Sequence, residues 1–389
     1  MMKNIIQSYK TIALSSLLFI SACNSPLEQT QQQTQQQPAS LSELTLVAQE
    51  QPFLQDSLLV SWSFAEGNTP VDIFIADAPD ASAKKLIARG ITGNSYLLAR
   101  DTDQRQYVFV QPQQGEGHWV GERVLPLQGG FNFRDLGGYA TTDGKHVKWG
   151  KIYRSGTMVD LTTDDYAYLG KLNLSVMCDF RSREELQHEP TAWQSFAPQA
   201  KYLVVDYSMR DLISAEGALR FDQVKTTADA QAMFKEFYRQ GPYRFKGQLS
   251  EMFDDLAAGK APLAFNCSAG KDRTGMAAAL ILTALDVPRN VVVEDYALTE
   301  KVADFGAREQ MRNARNKPNI SDDKQAPHAG IAAMPVEARQ VFMGSDPMFI
   351  EAMFAELEKN HGSAMNFIRE ELAVSETELQ RLRELYVTN

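Results

Sequence analysis

Between Leu44 and Pro126, apolar residues come in short runs broken by Gly, Asp and Pro, a pattern of β-strands rather than helices. Ser57–Phe64, Val71–Ile75, Tyr107–Val110 and Trp119–Val124 are the strand candidates, and Gly67-Asn68-Thr69-Pro70 reads as a turn. Strands this short, with turns this regular, predict a small all-β sandwich over residues 43–126.

From Leu127 onward the period changes. Short apolar runs at Leu174–Cys178, Ala200–Val205 and Pro262–Asn266 alternate with longer amphipathic segments, which predicts an α/β domain over 127–389 with a central sheet flanked by helices. Thr274–Leu285 is rich in Ala and Leu and is followed by Pro288, so a helix is expected to stop near Asp286. Ser345–Val387 has helical periodicity interrupted at Gly362. Glu300–Met343 is polar, weakly periodic and too long for a plain connection, so it reads as a lid or an insertion.

The N-terminus carries a different signal. Lys3 and Lys10 precede the apolar run Thr11–Ile20, which is too short to span a bilayer as a stable helix. Ile20-Ser21-Ala22-Cys23 then resembles a bacterial lipobox, which implies export, lipidation of Cys23 and removal of residues 1–22. The alternative is an ordinary signal peptide with a chance cysteine. Asn24 after the cysteine is similar to signals that sort lipoproteins to the outer membrane, facing the periplasm or the cell surface. Residues 23–42 include a Gln/Thr tract that cannot build a core and reads as a flexible tether.

Composition narrows the functions. The net charge of −10 over 389 residues argues against general nucleic-acid binding. The five histidines show no ligand spacing, so neither a metal nor another cofactor is expected. With Cys23 lipidated, only Cys178 and Cys267 remain as thiols, which excludes a disulfide scaffold.

Cys267 is the chemical centre. It follows an apolar strand and opens the loop Cys267-Ser268-Ala269-Gly270-Lys271-Asp272-Arg273, with Thr274 and Gly275 next. A strand ending at the cysteine and a helix starting near Thr274 place the sulfur at a helix N-terminus, where free amides and the dipole favour a thiolate. Gly270 permits the tight backbone, Gly275 allows close approach, and Arg273 can offer a planar fork to two phosphate oxygens. Cys267, Arg273 and Asp272 are the candidate catalytic residues. Ser268, Ala269, Gly270, Lys271 and Thr274 are the candidate substrate-binding residues. A buried structural cysteine beside a helix cap is the alternative.

Other segments, in order, are Asn132–Tyr139 (NFRDLGGY), Tyr153–Gly156 (YRSG), Cys178–Ser182 (CDFRS), the Cys267 loop and Asp295-Tyr296. Together they resemble the atypical bacterial tyrosine phosphatase family over Leu127–Asn389. The resemblance implies attack by Cys267 on phosphorus, a cysteinyl-phosphate, and hydrolysis by water. It implies as substrates phosphotyrosine proteins, with phosphoserine or phosphothreonine possible, or phosphoinositides. It also makes Asp272 the candidate general acid. Asp179, at a strand end, is the rival and ranks second. Lys271 is linked by the resemblance to lipid-phosphate substrates, and reads otherwise as a solvated lysine. The family usually has histidine before the cysteine, whereas Asn266 stands here, so the loop is expected to hold its thiolate less firmly than in relatives. Cys178 could trap an oxidised Cys267 as a disulfide, or simply be a small buried residue. Arg134 and Asp135 are expected to satisfy buried backbone or each other. The 43–126 segment is loosely similar to a fibronectin type III domain and carries no catalytic constellation. It reads as a spacer or docking module. Soluble inositol phosphates, and phosphate binding with little turnover, remain the alternative functions.

Overall fold

A computed structural model describes residues 40–48, 56–79, 81–209, 221–306, 308, 310 and 334–388. The export segment 1–22, most of the 23–42 tether and the centre of the Glu300–Met343 stretch lie outside the described residues.

The N-terminal portion consists of two antiparallel sheets. β1 (Ser40–Ala48), β2 (Ser57–Glu66) and β5 (Ser95–Ala99) form one, in the order β1-β2-β5. β3 (Val71–Ala76), β4 (Lys85–Ile91), β6 (Tyr107–Pro112) and β7 (His118–Gly121) form the other, in the order β4-β3-β6-β7. Period-two alternation sends Leu58, Val60 and Trp62 of one sheet and Val71, Ile73, Val108 and Val110 of the other into a shared core. β1, β4 and β5 carry weak alternation, with several of their side chains half-buried or exposed, and the sequence pattern does not single them out.

Buried charge joins this portion to the C-terminal one. Trp149, beyond Pro126, completes its core. Arg105, buried on Tyr107 and Tyr153, donates at 2.8 Å to both Asp135 Oδ2 and the Glu122 carbonyl. Arg123 lies over the Tyr139 and Trp149 rings. A spacer hung on a linker would leave such surfaces wet. Here burying Asp135 requires its counter-ion from the N-terminal portion.

The second portion is built on a five-stranded sheet in the order β11-β10-β12-β9-β8. Its strands are β8 (Arg134–Asp135), β9 (Ile152–Ser155), β10 (Val176–Asp179), β11 (Lys201–Val204) and β12 (Leu263–Asn266), all parallel except β8. The central strands are buried on both faces and read as continuous apolar runs. Val176, Cys178, Leu263 and Phe265 face the larger core, while Met177, Ala264 and Tyr153 face the smaller one with Tyr168 and Leu169.

The helices that matter for the site are α1 (Thr163–Gly170), α2 (Arg183–His188), α3 (Thr227–Arg244), α4 (Lys246–Ala257), α5 (Asp272–Ala284), α6 (Arg289–Ala297), α7 (Thr299–Val302) and α8 (Val336–Met343). The C-terminal helical pattern resolves into α9 (Pro347–His361), α10 (Ala364–Glu370) and α11 (Glu376–Tyr386). Gly362 takes a positive φ of 78° and ends α9, which is why the periodicity breaks there.

Candidate active site

The loop sits where the central strand meets the most buried helix. β12 ends at Asn266, Cys267 follows and is buried, and α5 begins at Asp272. Gly270 has φ +65°, and a Cβ there would lie 2.5 Å from the Ser155 carbonyl and the Gly156 amide, so only glycine allows the loop to press on β9. No side chain caps α5, which leaves its first amides to face whatever anion the loop holds.

Arg273 is fixed from outside the loop. Its Nη1 and Nη2 donate to Glu185 Oε2 and Oε1 at 2.7 and 2.8 Å, a two-pronged pair. Nη1 also reaches the Phe180 carbonyl at 2.9 Å and Tyr207 Oη at 2.6 Å. Ser268 Oγ donates to Glu185 Oε1 at 2.5 Å, so one carboxylate ties both ends of the loop. Burial alone would push the Glu185 carboxyl up, but the Arg273 charge and these hydrogen bonds hold it down at about 2. Cys267 opens the loop at the end of β12 and Arg273 closes it in the first turn of α5.

The back of the loop rests on a second buried network. Asn132 Nδ2 donates to the Gly270 and Ala269 carbonyls at 2.9 and 3.1 Å, and Arg154 Nη2 donates to the Gly270 carbonyl at 2.7 Å. Asp295 neutralises two arginines, meeting Arg154 at 2.6 Å and Arg134 at 3.3 Å, and also accepts from Tyr139 Oη at 2.9 Å. Arg134 in turn donates to Asn132 Oδ1. Of the two expectations for Arg134 and Asp135, the buried backbone one holds: Arg134 donates to the Asp295 carbonyl at 2.8 Å, and Asp135 accepts from the Gly137 and Gly150 amides at 2.7 Å. They do not satisfy each other: Arg134 pairs with Asp295, and Asp135 with Arg105. Adjacent strand residues point to opposite faces of a sheet, so they could not meet.

Residues 125–388 match the tyrosine phosphatase family. The chain belongs to that family. It is similar to a Cupriavidus necator protein described as a tyrosine-protein phosphatase candidate, 29% identical over 250 residues, covering 64% of this chain and 84% of the relative. It is also similar to the triple specificity protein phosphatase of Mycobacterium tuberculosis, 29% identical over 192 residues, covering 44% and 68%. A tyrosine-protein phosphatase of Nostoc commune is 26% identical over 235 residues, covering 59% and 72%.

In this phosphatase the rival acids separate. Both Asp179 carboxylate oxygens are taken by Arg181, at 2.7–3.1 Å, and Oδ2 also accepts from Tyr202 Oη at 3.0 Å. Asp179 is therefore a buried counter-ion, not a free acid. Asp272 keeps a partly exposed carboxyl (20%) at the mouth of the loop. Lys271 is not the solvated lysine that the sequence also allowed. It is buried, and its ammonium donates to the Phe342 and Gly344 carbonyls at 2.6 and 2.8 Å, pinning the end of α8 to the loop. The ammonium also lies 5.1 Å from the centre of the Phe234 ring.

Cys178 packs as a small apolar side chain. Burial, then the Asp179 charge, pushes its thiol up, and it sits in register with Phe265, two residues short of Cys267. Asn266 is fully buried, and neither amide atom has a hydrogen-bond partner among the described residues. The Thr274 hydroxyl is likewise buried without one. The sequence reading missed Glu185, although Ser182-x-x-Glu185 is a capping-box pattern and the structure contains that box.

Proposed function

We propose that this enzyme hydrolyses phosphotyrosine esters through a cysteinyl-phosphate on Cys267. One observation carries the reading: Arg273, clamped by Glu185, closes the loop that the buried Cys267 opens at the junction of β12 and the uncapped start of α5. Cys267 attacks phosphorus in line, and Asp272 gives its proton to the leaving oxygen. Loop amides and Arg273 bind the three peripheral oxygens as charge builds. Water then displaces the sulfur, with Asp272 as the base.

The triple-specificity name of one relative supports a site that accepts more than one class of phosphorylated substrate. Lys271, which the resemblance links to lipid-phosphate substrates, has its ammonium engaged by the Phe342 and Gly344 carbonyls, so we place phosphotyrosine first. Phosphate release is measured from a phosphotyrosyl peptide, phosphoseryl and phosphothreonyl peptides, phosphoinositide vesicles and soluble inositol phosphates. The expected result is kcat/KM at least about ten-fold higher on the phosphotyrosyl peptide. Faster turnover of either inositol class would overturn the ranking, and turnover of none would make the chain a phosphate-binding module.

We also propose that the chain is exported and lipid-anchored at Cys23, with the outer membrane as its site. Labelled palmitate fed to a bacterial host is expected to enter the wild type and not Cys23→Ser. Equal labelling of both would remove the anchor.

A further inference from the structure

Asp272 does not stand alone. Its Oδ1 accepts a hydrogen bond from Tyr238 Oη at 2.6 Å, and the Lys271 ammonium lies 3.5 Å from the same oxygen. Tyr238, from α3, is completely buried. Its hydroxyl is also 2.6 Å from that of Tyr296, from α6. A phenol has one proton to give. With Tyr238 donating to Asp272, Tyr296 donates to Tyr238, and the three groups form a directed chain.

The rings are locked. Tyr238 packs edge-on to Tyr296 and Phe234 and stacks on Phe349. Tyr296 lies against the start of α5, where a Cβ on Gly275 would come within 2.9 Å of its ring. Gly275 is thus the residue that lets this ring reach the site. Burial, then the Asp272 charge, pushes both phenols well above the usual tyrosine value, so both stay protonated and remain donors.

We propose that Tyr238 is the positioning residue for the general acid: by occupying Asp272 Oδ1 it leaves Oδ2 as the oxygen that carries and delivers the proton. The inference rests on Asp272 being that acid. In the first step the S–P bond forms and the P–O bond breaks. The Oδ2 proton goes to the departing oxygen, which leaves as a neutral alcohol. Asp272 becomes a carboxylate, still held by the Tyr238 hydroxyl. In the second step water attacks phosphorus, its proton returns to Oδ2, and the S–P bond breaks to release phosphate and thiolate.

A misaimed acid harms only substrates that need it. Tyrosine leaves with a pKa of about 10 and requires a proton, whereas dinitrophenolate leaves unaided. The experiment compares kcat/KM on a phosphotyrosyl peptide and on dinitrophenyl phosphate, since this ratio reports the step in which the leaving group departs. Tyr238→Phe is expected to lose about ten-fold on the peptide and less than about two-fold on the aryl phosphate. Asp272→Asn is expected to show the same selectivity, with a loss of about a hundred-fold or more on the peptide. Tyr296→Phe, which removes the donor to Tyr238, is expected to show it at about three-fold, and decides the question if Tyr238→Phe does not fold. Equal losses on both substrates, or no loss, for the tyrosine variants overturn the positioning role while Asp272→Asn remains selective. A non-selective Asp272→Asn overturns the acid assignment itself, and the positioning role with it.

Discussion

Replacing Glu185 by glutamine is expected to lower kcat/KM by about a hundred-fold on any phosphomonoester, acidic or basic in its leaving group. The carboxylate holds both prongs of Arg273 and the Ser268 hydroxyl at once. An amide keeps the shape, but it offers one acceptor where two are needed and turns an N–H towards a guanidinium. The fork then loses its fixed direction, and a phosphate oxygen loses its planar partner in the transition state. Because the loss does not depend on the leaving group, it is distinguishable from a loss at Asp272.

The same variant carries a pH signature. Glu185 sits at about 2 in the folded chain, against 4.5 for a free glutamate. The unfolded chain therefore takes up the extra proton as pH falls. The stabilisation is complete above about pH 4.5, and it is lost as pH drops towards 2. Its size is about 3 kcal/mol. Denaturant melts at several pH values are expected to show a flatter acid limb for Glu185→Gln than for wild type. Parallel limbs would mean that Glu185 is not ion-paired.

Asp295→Asn is expected to have the largest effect on stability. Asp295 is the shared counter-ion of Arg134 and Arg154, all three fully buried. Burial would raise its carboxyl, yet the two arginines hold it well below the usual range, while burial and Arg154 pull Arg134 down to about 10. Removing the negative charge leaves two cations facing each other without water, at a cost of about 3–5 kcal/mol. That corresponds to a Tm lower by about 10 °C. Arg154 also supports the Gly270 carbonyl, so activity is expected to fall even where the fold survives. A Tm within about 2 °C of wild type would show that the pair of arginines does not depend on Asp295.

The chemistry of the loop was legible because it is local. Cysteine, glycine and arginine lie within seven residues, and the apolar run before them and the Ala-rich run after them fix strand and helix. The two sheets of the N-terminal portion were legible where alternation is clean, as in β2, or where a short apolar run is bounded by turn residues, as in β3 and β6. What holds the loop was not legible. Arg273 and Glu185 are 88 residues apart, Lys271 and Phe342 are 71 apart, and Arg134 and Asp295 are 161 apart. No periodicity reports which buried charge meets which. The spacing of Asp179 and Arg181 is the exception. Residues two apart at a strand end share a face, so their pairing, and with it the demotion of Asp179 as an acid, could have been read. Lys271 is buried, not solvated, for a physical reason: a long side chain next to the loop can turn away to meet the last carbonyls of a helix.

The most direct test is to mix the enzyme with excess phosphotyrosyl peptide, quench in acid within the first turnover and map the digest by mass. A phosphoryl group on the Cys267 peptide, absent in Cys267→Ser together with phosphate release, is the expected result. Turnover that persists in Cys267→Ser, or a phosphoryl group carried by any other residue, would contradict it.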